Sequence, residues 1–89
     1  MNDILDVIRA GMVDTLVGST IKTSINIITQ SLLNIFPEDL VKQFVGTTFF
    51  ILFPMDTLEN KTTKDDAKLM IRVLENFFNA VGNEILEEE

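Results

Sequence analysis

Ile21, Ile25, Ile28, Leu32 and Ile35 follow one another at intervals of four and three residues. At about 100° of rotation per residue, that spacing gathers all five on one face of an α-helix, whereas a strand would scatter them over both faces. A helix over about 20–36 is therefore expected. The same period appears twice more. Ile4, Ile8, Met12 and Leu16, with Leu5 beside them, predict a helix over about 3–17. Ala67, Met70, Leu74, Phe77, Val81 and Ile85, widened by Ile71 and Phe78, predict a last helix that starts near Thr63.

The boundaries have their own chemistry. Gly18 reads as a stop, and Ser19-Thr20 as the cap of the next helix. Pro37-Glu38-Asp39 starts a third helix, with proline suited to the first helical position and both acids near the positive end of the dipole. Thr63-Lys64-Asp65-Asp66 is close to a capping box, with Asp in the place of Glu. Residues 54–63 form a polar connector, and Gly82-Asn83 is the expected stop of the last helix. Glu84 and Glu87-Glu88-Glu89 oppose the negative end of that helix dipole, so residues 1–83 are read as one helical domain and 84–89 as a frayed acidic tail.

The third segment is the ambiguous one. Leu40, Val41, Phe44, Val45 and Thr48 continue a helical stripe, but Phe49-Phe50-Ile51-Leu52-Phe53 is apolar all round, and no charge occurs from Gln43 to Met55. Residues 47–51 have high β propensity, yet a strand needs a partner and the chain offers none. Helix is the expected outcome, ended by Pro54, which holds Phe53 extended. The fold class expected is all-α, a small four-helix bundle completed by dimerisation.

Dimerisation enters through the inventory. Of 89 residues, 46% are hydrophobic, and only three of these are Ala. A chain this short encloses a limited core and usually needs a disulfide, a metal or a partner chain for support. It has neither Cys nor His, so disulfides and the commonest transition-metal ligand are excluded. Association is the support that remains. Phe44, Phe49, Phe50 and Phe53, with Thr48, are the candidate contact residues on the uncharged third segment. A second candidate is the ridge Thr20, Ser24, Ile27 and Ser31, whose small side chains at 4-3-4 spacing would admit another helix closely.

The same inventory narrows function. Without imidazole, thiol or phenol, Ser-His-Asp, Cys-His and Glu-x-x-His sites cannot be built. The acidic pairs Asp3/Asp6 and Asp65/Asp66 each fall in a first helical turn, where the dipole alone favours them. The connector is not a calcium loop, because Leu58 stands where a ligand is needed and the central glycine is missing. No catalytic, cofactor or metal residue is assigned, and no enzyme activity is expected. A formal charge of −7 opposes binding to nucleic acid and to anionic membranes. Met1-Asn2-Asp3 lacks the basic opening of a secretory signal, so the expected compartment is the cytoplasm.

The leading expectation is a non-enzymatic helical interaction module, a homodimer with a regulatory or scaffolding role, with another protein as a further partner. One alternative is an acidic inhibitor of the immunity or anti-restriction type, binding a basic surface of its target. Another is a small membrane-associated protein, disfavoured by the scarcity of basic anchors beside the apolar segments.

Overall fold

The computed structural model describes residues 11–82. The start of the helix expected over about 3–17, with its stripe from Ile4 to Ile8, the pair Asp3/Asp6, Ile85 and the acidic tail lie outside them. The described residues are all-α: four helices, no strand, and a single isolated antiparallel bridge between Thr20 and Lys61. Residues 11–16 belong to the first helix, α1. The second, α2, spans Ile21–Leu33. The third, α3, runs as Glu38–Phe44, a π turn at Val45–Phe49, and Phe50–Leu52. The last, α4, covers Lys64–Phe77 and continues as a π turn over Phe78–Gly82.

Helix α1 stops where the left-handed backbone of Gly18 (φ 92°) turns the chain. The cap of α2 is Thr20 rather than Ser19, its hydroxyl accepting from the Thr23 N–H at 3.1 Å. Two other N–H groups at this helix end are taken by the connector. Ile21 N–H donates to the Asn60 carbonyl at 2.8 Å, and Lys22 N–H to the Leu58 carbonyl at 2.9 Å. Four backbone donors at a helix start have no partner within the helix. Here the polar connector supplies two of the acceptors and the Thr20 hydroxyl a third. The connector is thus docked on α2 rather than looping free. A further pair of backbone bonds, Gly18 N–H to Thr62 carbonyl and Thr62 N–H to Ser19 carbonyl, completes the docking.

Ile21, Ile25, Ile28 and Leu32 are buried as their spacing requires, but Ile35 is exposed. The helix closes at Leu33, and the Ile35 N–H reaches back only three residues, to the Leu32 carbonyl. That tightening swings Ile35 out and brings Phe36 into the core. Pro37 takes the cap position of α3 rather than its first helical position, which falls to Glu38. Opening α4, Thr63 and Asp66 form a complete capping box.

Residues 47–53 are helical, with a change of register. Val41, Val45 and Phe49 are all buried although they are spaced four and four. In an unbroken α-helix each step of four overshoots a full turn by about 40°, so Phe49 would drift to the flank and Thr48 would sit nearer the centre. A π turn holds about 4.4 residues, so four residues then fall slightly short of a turn and the drift is cancelled. The Phe50 N–H accordingly reaches the Val45 carbonyl, five residues back. Phe49 therefore closes the stripe, and Thr48 stays half-buried at its edge. Pro54 holds Phe53 extended (φ −123°, ψ 90°), and its ring is buried too.

A π turn of this kind amounts to one residue more than an α-helix needs. Deleting Gly46, an exposed residue of low helix propensity, should convert it to plain α-helix while keeping Phe49 inside. The expected cost in a urea melt is about 1 kcal/mol or less. Loss of folding on deletion would mean that the π turn is not the device that sets the register.

The core joins all four helices. Leu16, the buried face of α2, Val41, Val45, Phe49 and the seam Ala67, Met70, Ile71, Leu74 and Phe77 form one cluster. Its far end is aromatic. Phe44 stacks on Phe77 at 4.1 Å, Phe49 meets Phe44 edge-on at 5.4 Å, and Phe36 meets Phe77 and Phe78 at 5.1 and 5.5 Å. Such pairs add about 0.5–1.5 kcal/mol each beyond their buried area. This joint holds the end of α4 against α3 and the turn before it.

Candidate interaction surface

The register shift that brings Phe49 in also turns its neighbours out. Phe50 (47% exposed), Ile51 (69%) and Leu52 (42%) wrap the outer side of the last turn of α3, and Met55 (85%) follows beyond Pro54. Four large apolar side chains within six positions are open to solvent, on a stretch that carries no charge. Scattered single exposures are ordinary for soluble proteins, whereas a contiguous run makes this stretch the candidate contact surface.

Beside it lies a groove of 740 Å³ between α2, α3 and the connector. Ile25, Val45 and Phe50 supply its apolar part, and Thr23, Asn26 and Thr29 supply neutral polar walls. Lys22 and Glu59 are its two charged residues. Thr29 is partly committed, its hydroxyl donating to the Ile25 carbonyl at 2.8 Å. Phe50 belongs both to the groove and to the exposed run, so the two form one continuous surface.

The residues singled out from sequence divide between this surface and the core. Phe50 is on the surface. Phe49 and Phe53 are buried, and Phe44 is half-buried in its stack on Phe77. On the α2 ridge, Thr20 is half-buried and lines the groove. Ile27 packs half-buried against the core, and Ser31, also half-buried, gives its hydroxyl hydrogen to the Ile27 carbonyl at 3.0 Å. Ser24 is fully buried: its Oγ lies 2.7 Å from the Thr62 Oγ1 and 3.3 Å from the Leu16 carbonyl, to which it donates. The close approach that small side chains allow on this ridge is, at Ser24, taken by the chain's own connector.

Ile51, Leu52 and Met55 were not among the residues named from sequence. For Ile51 and Leu52 the signal was present, since the consecutive apolar residues Phe49 to Leu52 cannot all face one core from a helix. Which of them face outward depends on the π turn.

Glu38 and Asp39 lie in the first turn of α3, and Asp65 and Asp66 in the first turn of α4, where the helix dipole favours them. The Asp66 carboxylate accepts from the Thr63 N–H at 3.2 Å, and Glu38 pairs with Lys42 at 3.0 Å along the solvent side of α3. No described helix is long and apolar enough to cross a membrane. Comparison of the chain with protein-family models, with curated proteins and with solved structures finds no match in any of the three.

Proposed function

We propose that this chain is a non-enzymatic interaction module that acts by self-association, with the outer side of the end of α3 as the contact. The observation that carries this reading is the exposed, uncharged run Phe50-Ile51-Leu52 with Met55 beyond it. Fully burying a large apolar side chain is worth about 1.5–3 kcal/mol, and these four are already partly covered, so each stands to gain roughly 1 kcal/mol. Four from each copy together offset the lower part of the roughly 4–15 kcal/mol lost as freedom of motion on association. The helical bundle that one chain builds is, in this reading, completed by the second.

The test is mass in solution. Light scattering should give two chains per particle at low micromolar concentration. Ile51→Glu should give one chain per particle with unchanged helicity, because Ile51 contributes little to the core of a single chain. A mass of one chain for the parent protein across that range would end the proposal.

A further inference from the structure

We propose that the groove between α2 and the end of α3 is the seat of the second copy, and that two copies meet there about a two-fold axis with Lys22 of each facing Glu59 of the other. This deepens the self-association reading and rests on it.

The argument begins with charge. Two molecules that each carry −7 repel one another, and the repulsion is least where both surfaces are neutral. Residues 43–55 have no charge, and Lys22 is the only charge between Asp14 and Glu38. The groove is built from these two stretches and from Glu59 of the connector, so its own charge is zero. On an acidic chain, such a face tolerates a like molecule.

Symmetry supplies the next step. In a two-fold contact residue i of one copy meets j of the other, and j meets i in exchange. One lysine and one glutamate form the smallest charged set that complements itself under that operation. A basic partner would meet Lys22, and an acidic one would meet Glu59, each as a like charge. A second copy turned by 180° meets both as opposite charges.

The two charges are also held in place relative to each other. Glu59 stands between Leu58 and Asn60, whose carbonyls accept from the Lys22 and Ile21 N–H groups at 2.9 and 2.8 Å. The connector segment carrying the anion is therefore pinned to the helix start carrying the cation. Phe50 links the groove to the exposed Ile51 and Met55, so the apolar contact and the polar one belong to the same surface.

The experiment is a charge exchange read by sedimentation at low micromolar concentration. Lys22→Glu and Glu59→Lys, each alone, should raise the dissociation constant of the dimer by roughly tenfold or more, through two like-charge contacts per dimer. Mixing the two variants should produce the mixed dimer in preference to either homodimer, because both contacts then pair Glu with Lys. Placing both substitutions in one chain should restore the parent constant. Both side chains are exposed, so circular dichroism should report the same fold throughout. If the parent dimerises and the single variants dimerise equally well, with random mixing, the groove is not the contact and this inference fails while self-association stands. If the parent is a single chain throughout, the self-association reading fails and this inference falls with it.

Discussion

Phe49→Ala should lower the stability of the domain by about 3–5 kcal/mol, the range for deleting a buried aromatic ring. Domains of this length have roughly 4–13 kcal/mol in all, so the variant should lie near the edge of folding at room temperature. Phe49 has no exposed surface and meets Phe44 edge-on, and Phe44 stacks on Phe77. The cavity therefore opens at the joint between α3 and α4. Phe50→Ala is the control: its ring is 47% exposed and should cost about 0.5–1 kcal/mol as a truncation of a partly covered side chain. The measurement is a pair of urea melts at a concentration where both variants are single chains. Equal losses at the two positions would refute the π-turn register, since an unshifted helix would treat these neighbours differently from the way described above.

The second large effect is expected at Ser24. Ser24→Ala leaves the Thr62 hydroxyl fully buried without its 2.7 Å partner, a loss of about 1–3 kcal/mol. Thr62→Val should cost less, because the Ser24 hydroxyl keeps the Leu16 carbonyl as an acceptor. The double variant should be more stable than the sum of the two losses implies, with a coupling of about 1 kcal/mol. Hydrogen exchange gives an independent readout. The Ile21 and Lys22 amides, which donate to connector carbonyls, should exchange faster in Ser24→Ala than in the parent. Strict additivity of the two losses, with unchanged exchange at these amides, would show that the hydroxyl pair does not anchor the connector.

Neither feature could be read in full from the chain. The lack of a strand partner is enough to make the third segment helical. The register is not legible in the same way, because Phe49 to Phe53 are all apolar and periodicity has nothing to distinguish. Ring size does not separate core from contact: the core must claim some of the phenylalanines of this segment, and the fold uses Phe44, Phe49 and Phe53 largely within one chain. At Ser24 the small side chain admits Thr62, 38 positions away. Small side chains at helical spacing say that something can come close, but not what does. By contrast Thr63 and Asp66 closed their capping box as expected, because every atom involved lies within four residues.

The amino-acid sequence by itself determined the all-α class, the stripes of α2 and α4, the turn at Gly18, the cap at Thr63 and the extended Phe53 before Pro54. Each of these depends on interactions within one or two turns of chain. It also determined which chemistries are missing, since an imidazole or thiol that is not encoded cannot be supplied by folding. Only the tertiary structure decided that the connector caps α2, that Ile35 yields its place to Phe36, and that a π turn sends Phe49 inward and Phe50, Ile51 and Leu52 outward. Those outcomes turn on contacts between distant segments and on a rotation of a fraction of a turn, and an unbroken run of apolar letters does not encode which side of it is covered.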